Sequence, residues 1–553
     1  MQQFVPAAAA GLGNAVARVR NAVAQRLPGE RPRQVVIELH GSYPARKPKQ
    51  KLVDPMAFLG GERPTTLEEF SGQVDEILRS PFIEGVIFRF GSLDPGYSAL
   101  YALAREFARL RASGRRVTVW ASELSTSTYY LAAAADEVVM PESAMLMVNG
   151  FGLTTLFMGQ AFDRLGIRYE KRAIREYKNA GDQFALPAMS DAQREQYEEL
   201  VESIERHYVE FVAERRRTTV EVVRSWIDES VSSAARAQQL GMIDRIAYED
   251  ELPRDGVKTY REAQRFIPAR TDRDTQGRVA VVSLEGMIVT GKSRKMPLPL
   301  PLFGEQMAGS ETIVRALRTA GKDPGTKAIV FHVESGGGSA LASDLIWREV
   351  MLLARRMPVV AVMGDVAGSG GYYVLTHATR VLAAPTTITG SIGVVLGKFV
   401  LAEFNERYGF NPESVLRGRH ADLLSSSRSW DEGDDEVLWR FNNEIYDRFT
   451  ARVAQGRGLS QAQVDEIGRG RIWSGATAAR IGLVDELGDI GLAIERAREL
   501  AGLPAHAPVW NVHAPAKLLL PEEKDPQALL RQLAPHLSGP VLLTQPSGVK
   551  LSR

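Results

Sequence analysis

The chain has no cysteine. That excludes disulfides, a thiol nucleophile and thiolate metal sites. It also has almost no net charge, with 68 basic against 67 acidic side chains over 553 residues. Without a basic excess there is no global electrostatic case for nucleic acid. Lysine is scarce, 14 against 54 arginines, so few lysines need be considered as bases. No run reaches the roughly 18 consecutive apolar residues that span a bilayer. The histidines are His40, His207, His332, His377, His420, His506, His513 and His536. None falls into H-E-x-x-H or another compact ligand spacing, so neither a metal nor a cofactor is expected. What remains is ordinary for a soluble globular protein: 44% hydrophobic and 24% charged. At about 150 residues per domain, the length implies roughly three to four units.

Residues 1–33 form an N-terminal segment rich in Ala and Val, with Arg18, Arg20 and Arg26 following the apolar part. A secretory signal has the reverse order. Val16, Val19 and Val23 are spaced for one face of a helix. That face reads either as a plain surface helix or as an amphipathic helix lying on an anionic membrane. The expectation is a chain that is soluble or peripherally membrane-associated, cytoplasmic rather than secreted.

The rest of the chain is written twice. Glu84 to Phe88 (EGVIF) resembles Lys327 to Phe331 (KAIVF), and Tyr129-Tyr130 resembles Tyr372-Tyr373, both at an offset of 243. Gln34 to Gly41 resembles Val279 to Gly286, and Leu240 to Asp244 resembles Ile481 to Asp485, at nearby offsets. A period this long means a duplicated domain rather than a solenoid. Residues 34–252 and 279–503 are the two copies, 253–278 is a polar linker, and 504–553 is a Pro-rich irregular extension. Within each copy short apolar runs alternate with helical stretches. Val279 to Leu284, Ala328 to Val333 and Val359 to Met363 read as buried strands, and Ser339 to Arg356 and Tyr372 to Thr379 as helices. This alternation predicts βαβ units and largely parallel sheets, an α/β fold.

Gly286 to Ser293 (GMIVTGKS) matches a P-loop letter for letter, but Met287 to Val289 continue a strand and the following prolines forbid a helix. Met363 to Val374 (MGDVAGSGGYYV) is more informative. A strand ends, glycines follow, and a helix begins near Gly370. Ser369 then stands at a sharp turn beside a helix N-terminus, as in a nucleophile elbow, although Ala367 replaces the first glycine. A flexible Gly-Ser loop is the competing reading. Phe331 to Ser339 (FHVESGGGS) is a second strand running into glycines. If the two strands are neighbours, the Gly338 and Gly370 amides form an oxyanion hole. His377, eight residues past Ser369, is more than two turns away and reads as a packed residue.

These motifs resemble those of the signal peptide peptidase A (protease IV) family in its long, two-repeat form. The resemblance covers about residues 34–503. It rests on S-x-G-G-S at Ser335 to Ser339, S-G-G-Y at Ser369 to Tyr372, T-G-S-I-G at Thr389 to Gly393, and the ending W-S-G-x-x-A…G-L-V-D-x-L-G from Trp473 to Gly488. It implies tandem crotonase-like, ClpP-related domains in a bacterial serine endopeptidase. The implied enzyme uses a Ser/Lys dyad to degrade cleaved signal peptides and other apolar peptides. It also implies a homo-oligomeric ring, such as a tetramer. By the same resemblance Ser369 is the nucleophile and Lys178, in Tyr177-Lys178-Asn179-Ala180, is the base. Ser391 hydrogen-bonds the lysine amine, and Gly338 and Gly370 match the oxyanion hole. Two departures stand out: Gly336 replaces the family's usual proline, and the usual N-terminal membrane anchor is not evident.

Chemistry requires such a partnership, since a serine hydroxyl is a poor nucleophile without a base. A lysine serves only when neutral, so its pKa of about 10.4 must fall by burial. At the offset of 243, Ser369 pairs with Thr126, Lys178 with Ala421 and Gly338 with Pro95, which has no N–H. Each copy thus keeps one half of a dyad, and one composite site per chain is expected. Two rival readings remain open: a crotonase-type acyl-CoA enzyme with Glu334 or Asp365 as acid/base, and a non-catalytic membrane-associated scaffold.

Overall fold

The computed structural model describes residues 4–26, 29–46, 64–271, 277–300, 304–512 and 517–518. His513, His536 and most of the Pro-rich extension lie outside them. In chain order the first half supplies strands β1 (Gln34–Gly41), β2 (Gly85–Leu93), β3 (Arg116–Ala121), β4 (Glu137–Met140), β5 (Arg168–Ala173), β6 (Arg245–Ile246) and β7 (Val257–Thr259). The second half supplies β8 (Arg278–Glu285), β9 (Met287–Val289), β10 (Thr326–Ser335), β11 (Val359–Gly368), β12 (Arg380–Ala383) and β13 (Ile388–Gly390). It continues with β14 (Val395–Val400), β15 (Ile472–Ser474), β16 (Glu486–Leu487) and β17 (Val509–Asn511). The helices used below are α1 (Phe4–Arg26), α2 (Tyr97–Ala112), α3 (Thr126–Ala133), α4 (Asp191–Arg216), α5 (Ala340–Ala354), α6 (Gly370–Tyr373) and α7 (Glu432–Arg457).

The first sheet runs β6-β4-β3-β2-β1-β7, with every neighbour parallel. The second sheet contains the same parallel order, β16-β12-β11-β10-β8-β17. The fold class is therefore α/β, in two copies of one parallel-sheet plan. Strands covered by helices on both faces must be apolar throughout, and Ala328, Ile329, Val330, Phe331 and Val333 of β10 are all fully buried. The duplication extends to single bonds. Tyr129 donates its hydroxyl to the Met242 carbonyl at 2.8 Å, and Tyr372 does so to Leu483 at 2.8 Å. Arg216 pairs with Asp244 at 2.9 Å and Arg457 with Asp485 at 2.6 Å. The helices that carry these arginines, α4 and α7, are both 26 residues long.

Three segments differ from expectation. Residues 253–278 are more than a linker: Val257–Thr259 add a parallel edge strand beside β1. The start of the Pro-rich extension does the same beside β8, through Val509–Asn511. Both cover backbone groups that a bare sheet edge would leave unpaired. The helix expected over Tyr372 to Thr379 is the single turn α6, followed by further turns. There the Thr376 hydroxyl bonds the Tyr373 carbonyl at 3.0 Å, competing with helix continuation.

Helix α1 docks on the end of the 253–278 segment. The Asn21 amide donates to the Ala269 carbonyl at 2.9 Å and its oxygen accepts the Ala269 N–H at 2.7 Å. Its buried face is alanine, Ala17 and Ala24, while Val16, Val19 and Val23 stay 61%, 65% and 55% exposed. No helix among the described residues is long and apolar enough to cross a membrane.

The two halves are joined along one side. Strands β5 and β14 pair antiparallel, from Arg168↔Val400 to Ala173↔Val395. Tyr197, Leu200 and Ile204 of α4 form a small core with Ile388 and Ile472 of the second half. The Asp365 carboxylate, just past the middle of β11, accepts the Ser98 N–H of α2 at 2.7 Å.

Candidate active site

Strand β11 outruns its counterpart β3. Its first part pairs with β12 and its last three residues, Val366 to Gly368, pair with β13. The two strands therefore end side by side, Gly368 opposite Gly390, and each is followed by a serine. Both serines adopt the left-handed region, Ser369 at φ 53° and Ser391 at φ 53°. Such backbone is strained for a residue with a Cβ and clusters at functional sites. The turn at Ser369 is held by its own N–H, bonded to the Gly390 carbonyl at 2.9 Å. Helix α6 starts at the next residue.

On the other flank β10 ends at Ser335 and runs into Gly336-Gly337-Gly338. The Ile288 N–H bonds the Gly337 carbonyl at 2.9 Å, and the Ser339 N–H bonds the Ile288 carbonyl at 2.9 Å. β9 thereby pins the glycine turn against the serine. Gly338 has φ 151°, and a Cβ there would lie 2.1 Å from the Ile288 oxygen, so only glycine fits. A Cβ built on Gly370 would stand 3.2 Å from the Gly338 nitrogen, so the two amides are neighbours. Within the described structure neither amide donates to a backbone carbonyl. Two unspent N–H groups beside a serine at a helix start can receive a developing oxyanion.

Lys178 arrives from the other half. After β5, Arg175 turns at φ 66° and directs the following residues inward. The Lys178 amine stands 3.1 Å from Ser369 Oγ, 2.9 Å from Ser391 Oγ and 2.9 Å from the Ser391 carbonyl oxygen. All of these groups belong to one chain. Lys178 is 2% exposed and Ser369 7%. Burial alone pulls the lysine pKa down to about 7, because an ammonium loses its hydration inside the protein. A neutral amine has two N–H groups and one lone pair. The Ser391 carbonyl and hydroxyl take the two N–H groups, which leaves the lone pair for the Ser369 hydroxyl.

The five residues named from the sequence, Ser369, Lys178, Ser391, Gly338 and Gly370, thus converge on one point. The competing Gly-Ser loop reading does not describe this pinned turn. His377 is elsewhere, accepting the Trp347 indole N–H at 2.9 Å. Glu334 and Asp365 do not face the glycine turn as free acids. Glu334 is half-buried and accepts the Asp365 and Val366 N–H groups at 2.6 and 3.2 Å. Its pKa rises to about 8, through burial first and the Asp365 charge second. Among the described residues no group of three or more His, Asp or Glu side chains is placed to hold a metal ion. Of the glycines that pack on the lysine, Gly393 was read only as the end of the T-G-S-I-G motif and Gly470 was not singled out. A glycine's close neighbours across a domain boundary leave no local sequence signal.

A family model described as peptidase family S49 matches the chain twice, over residues 109–257 and 351–504. The chain is 30% identical over 464 residues to "Serine protease SPPA, chloroplastic" of Arabidopsis thaliana, covering 81% of this chain and 67% of that one. It is 28% identical to "Protease 4" of Haemophilus influenzae over 482 residues, covering 81% and 75%. It is likewise 28% identical to "Protease 4" of Salmonella typhi over 432 residues, covering 75% and 68%. Among solved structures, a ClpP1 mutant from Listeria monocytogenes matches with a TM-score of 0.23 at 15% identity, over 34% of this chain and 86% of that one. A serine at a strand-end turn in an α/β scaffold, together with these relatives, defines a serine peptidase. The chain belongs to peptidase family S49, in the long form that carries the domain twice.

Proposed function

We propose that the chain is a Ser/Lys-dyad endopeptidase that degrades apolar peptides such as signal-peptide remnants. The observation that carries this reading is the buried Lys178 amine 3.1 Å from Ser369 Oγ. Ser369 Oγ attacks the scissile carbonyl as its proton passes to Lys178 Nζ. The carbonyl oxygen becomes an oxyanion held by the Gly338 and Gly370 amides. The Lys178 ammonium returns its proton to the departing amine, leaving an acyl-serine. A water, deprotonated by the same amine, attacks the ester and releases the second product. Ser391 orients the amine throughout. The first copy supplies the base and the second the nucleophile. Four such chains closing into a ring, with a cytoplasmic location and peripheral membrane contact through α1, complete the reading.

The test is labelling with a fluorophosphonate followed by peptide mapping, alongside turnover of an apolar fluorogenic peptide against pH. The label should fall on Ser369. Turnover should rise with pH through about 7, where Lys178 loses its proton, and should not fall again while the amine stays neutral. A label on another residue, or a rate indifferent to pH between about 6 and 9, would overturn the proposal.

A further inference from the structure

The contacts around Lys178 form a pattern that the dyad alone does not explain. Four consecutive residues of the first half, Glu176 to Asn179, are all engaged by Arg469 to Ile472 of the second, three directly and Asn179 through Gln196. Glu176 pairs with Arg469 at 3.0 Å. The Tyr177 ring lies under the Arg471 guanidinium, 4.6 Å from its centre. Lys178 packs against Gly470, where a Cβ would come within 2.5 Å of the lysine backbone nitrogen. Asn179 and the Tyr177 carbonyl are both held by the Gln196 side-chain amide, whose oxygen accepts the Ile472 N–H at 3.1 Å.

Two of these residues, Gly470 and Arg471, also hold the serine side. The Arg471 carbonyl accepts the Ser391 N–H at 2.7 Å, and the Gly470 N–H bonds the Ile392 carbonyl at 2.8 Å. Arg471 is anchored again on α4, to Glu195 at 2.9 Å and Glu199 at 2.5 Å, and it stacks on Trp473 at 4.7 Å. One short segment therefore touches the lysine loop, the helix behind it and the turn that presents Ser391. Gly393 closes the remaining side, its Cβ position 3.2 Å from the lysine stem.

We infer that Arg469–Ile472 is a positioning clamp for Lys178: it sets where the amine stands relative to both serines and keeps water from it. This inference rests on the dyad reading above. None of the four clamp residues is hydrogen-bonded to Ser369, so they act through the lysine and through the Ser391 turn that holds it. Gly470 is the contact that admits no side chain. Arg471 is the anchor, because a planar guanidinium can meet two carboxylates and stack on two rings at once. The charged groups around the lysine loop are bonded to one another: Glu176 with Arg469, Glu195 and Glu199 both with Arg471, and Lys171 of β5 with Asp182. The second half's strands bring only the uncharged Ser369 and Ser391 to its amine. Burial is thus what keeps the amine neutral, and loosening the clamp hydrates it.

The experiment uses the full chain and measures kcat/KM for an apolar peptide from about pH 5.5 to about pH 10. The variants are Arg471→Ala, Arg471→Lys, Gly470→Ala, Lys178→Ala and Arg206→Ala. Arg471→Ala and Gly470→Ala should lose about 10- to 100-fold near neutrality, the scale of a misplaced catalytic group. Their rising limb should move up by about one pH unit or more, as a hydrated lysine requires. The deficit should therefore shrink at high pH. Arg471→Lys should fall between, keeping the charge but not the fork. Arg206→Ala, which breaks only an exposed pair with Glu202, should match wild type. A rising limb unmoved in Arg471→Ala and Gly470→Ala overturns the clamp, whether activity is kept or uniformly lowered. If Arg471→Ala does not accumulate as folded protein, Arg471→Lys and Gly470→Ala carry the same comparison. Full activity in Lys178→Ala would sink the dyad instead, and so separates the two failures.

Discussion

At the end of the third strand of each copy's parallel core, the same backbone position meets two fates. In the second copy Ser369 sits at φ 53°, ψ −119° and starts α6. In the first copy the strand breaks early, and Ser125 at φ −91°, ψ 173° caps α3 with a capping box to Thr128. Thr126, the counterpart of Ser369, turns its hydroxyl to the backbone, accepting the Asn149 and Gly150 N–H groups at 3.0 and 3.3 Å. A non-glycine residue in such a conformation costs about 1 to 3 kcal/mol. The second copy bears that cost to project a hydroxyl, and the first has relaxed it away. The neighbouring helix starts diverge too. Ser339 caps α5 with its own side chain and leaves the Gly338 amide unspent. At α2, Pro95 and Gly96 offer no side-chain cap, and Asp365 of the other copy supplies the acceptor. At this helix start the first copy serves as a joint to the second.

The largest expected effect tests that contrast directly. Ser369→Ala should reduce peptide turnover by about 10⁴-fold or more, as loss of a nucleophile does. Thr126→Ala should leave turnover within about twofold and cost roughly 1 kcal/mol of stability for its hydrogen bonds. Turnover with an apolar peptide and thermal unfolding of both variants decide the matter; loss of turnover in Thr126→Ala with Ser369→Ala intact would reverse the roles of the copies. Next in size is the oxyanion turn. Gly338→Ala should lower kcat by about 10²- to 10³-fold, because its Cβ meets the Ile288 carbonyl and moves the amide. Pro95→Gly, at the matching place in the first copy, should change kcat little, and steady-state kinetics of the pair would expose a wrong assignment.

The smallest effect concerns the joint. Glu334 is half-buried beside Asp365, and its folded pKa is raised to about 8. An acid with a raised folded pKa favours the fold while protonated, below its unfolded value of about 4.3, and that advantage is lost as pH rises toward 8. Glu334→Gln cannot ionise. Its melting temperature relative to wild type should therefore climb between about pH 5 and pH 9. A constant difference across that range would show that Glu334 does not titrate as its surroundings imply.

Much of the second copy was legible because its features are local. Apolar runs such as AIVFHV announce buried strands, and glycines flanking Ser369 announce a sharp turn. Duplication was legible because equal offsets survive divergence. The position of Lys178 was not. Nothing within a few residues of it distinguishes it from a surface lysine, and its role entered only through resemblance. Its environment comes from Gly393 and Gly470, more than two hundred positions away. The β5–β14 pairing was hidden for a related reason. The offset of 243 sets β5 opposite residues 411–416, which form no strand, so the duplication itself pointed away from the contact. The valine stripe of α1 was legible as a stripe, but the sequence did not reveal that the helix docks through its alanines.

The clamp at Arg469–Ile472 has a consequence in time as well as space. A ribosome makes the lysine-bearing copy first and reaches Ser369 some 190 residues later. The amine and the hydroxyl exist then, but the residues that hold them in register have not yet been synthesised. Every contact that assembles the site is in place only once residue 472 has emerged and folded back onto the first copy. On the clamp proposal, a nascent chain would hold both reactive groups before it could align them. On that proposal, completion of the fold would itself be the activation step.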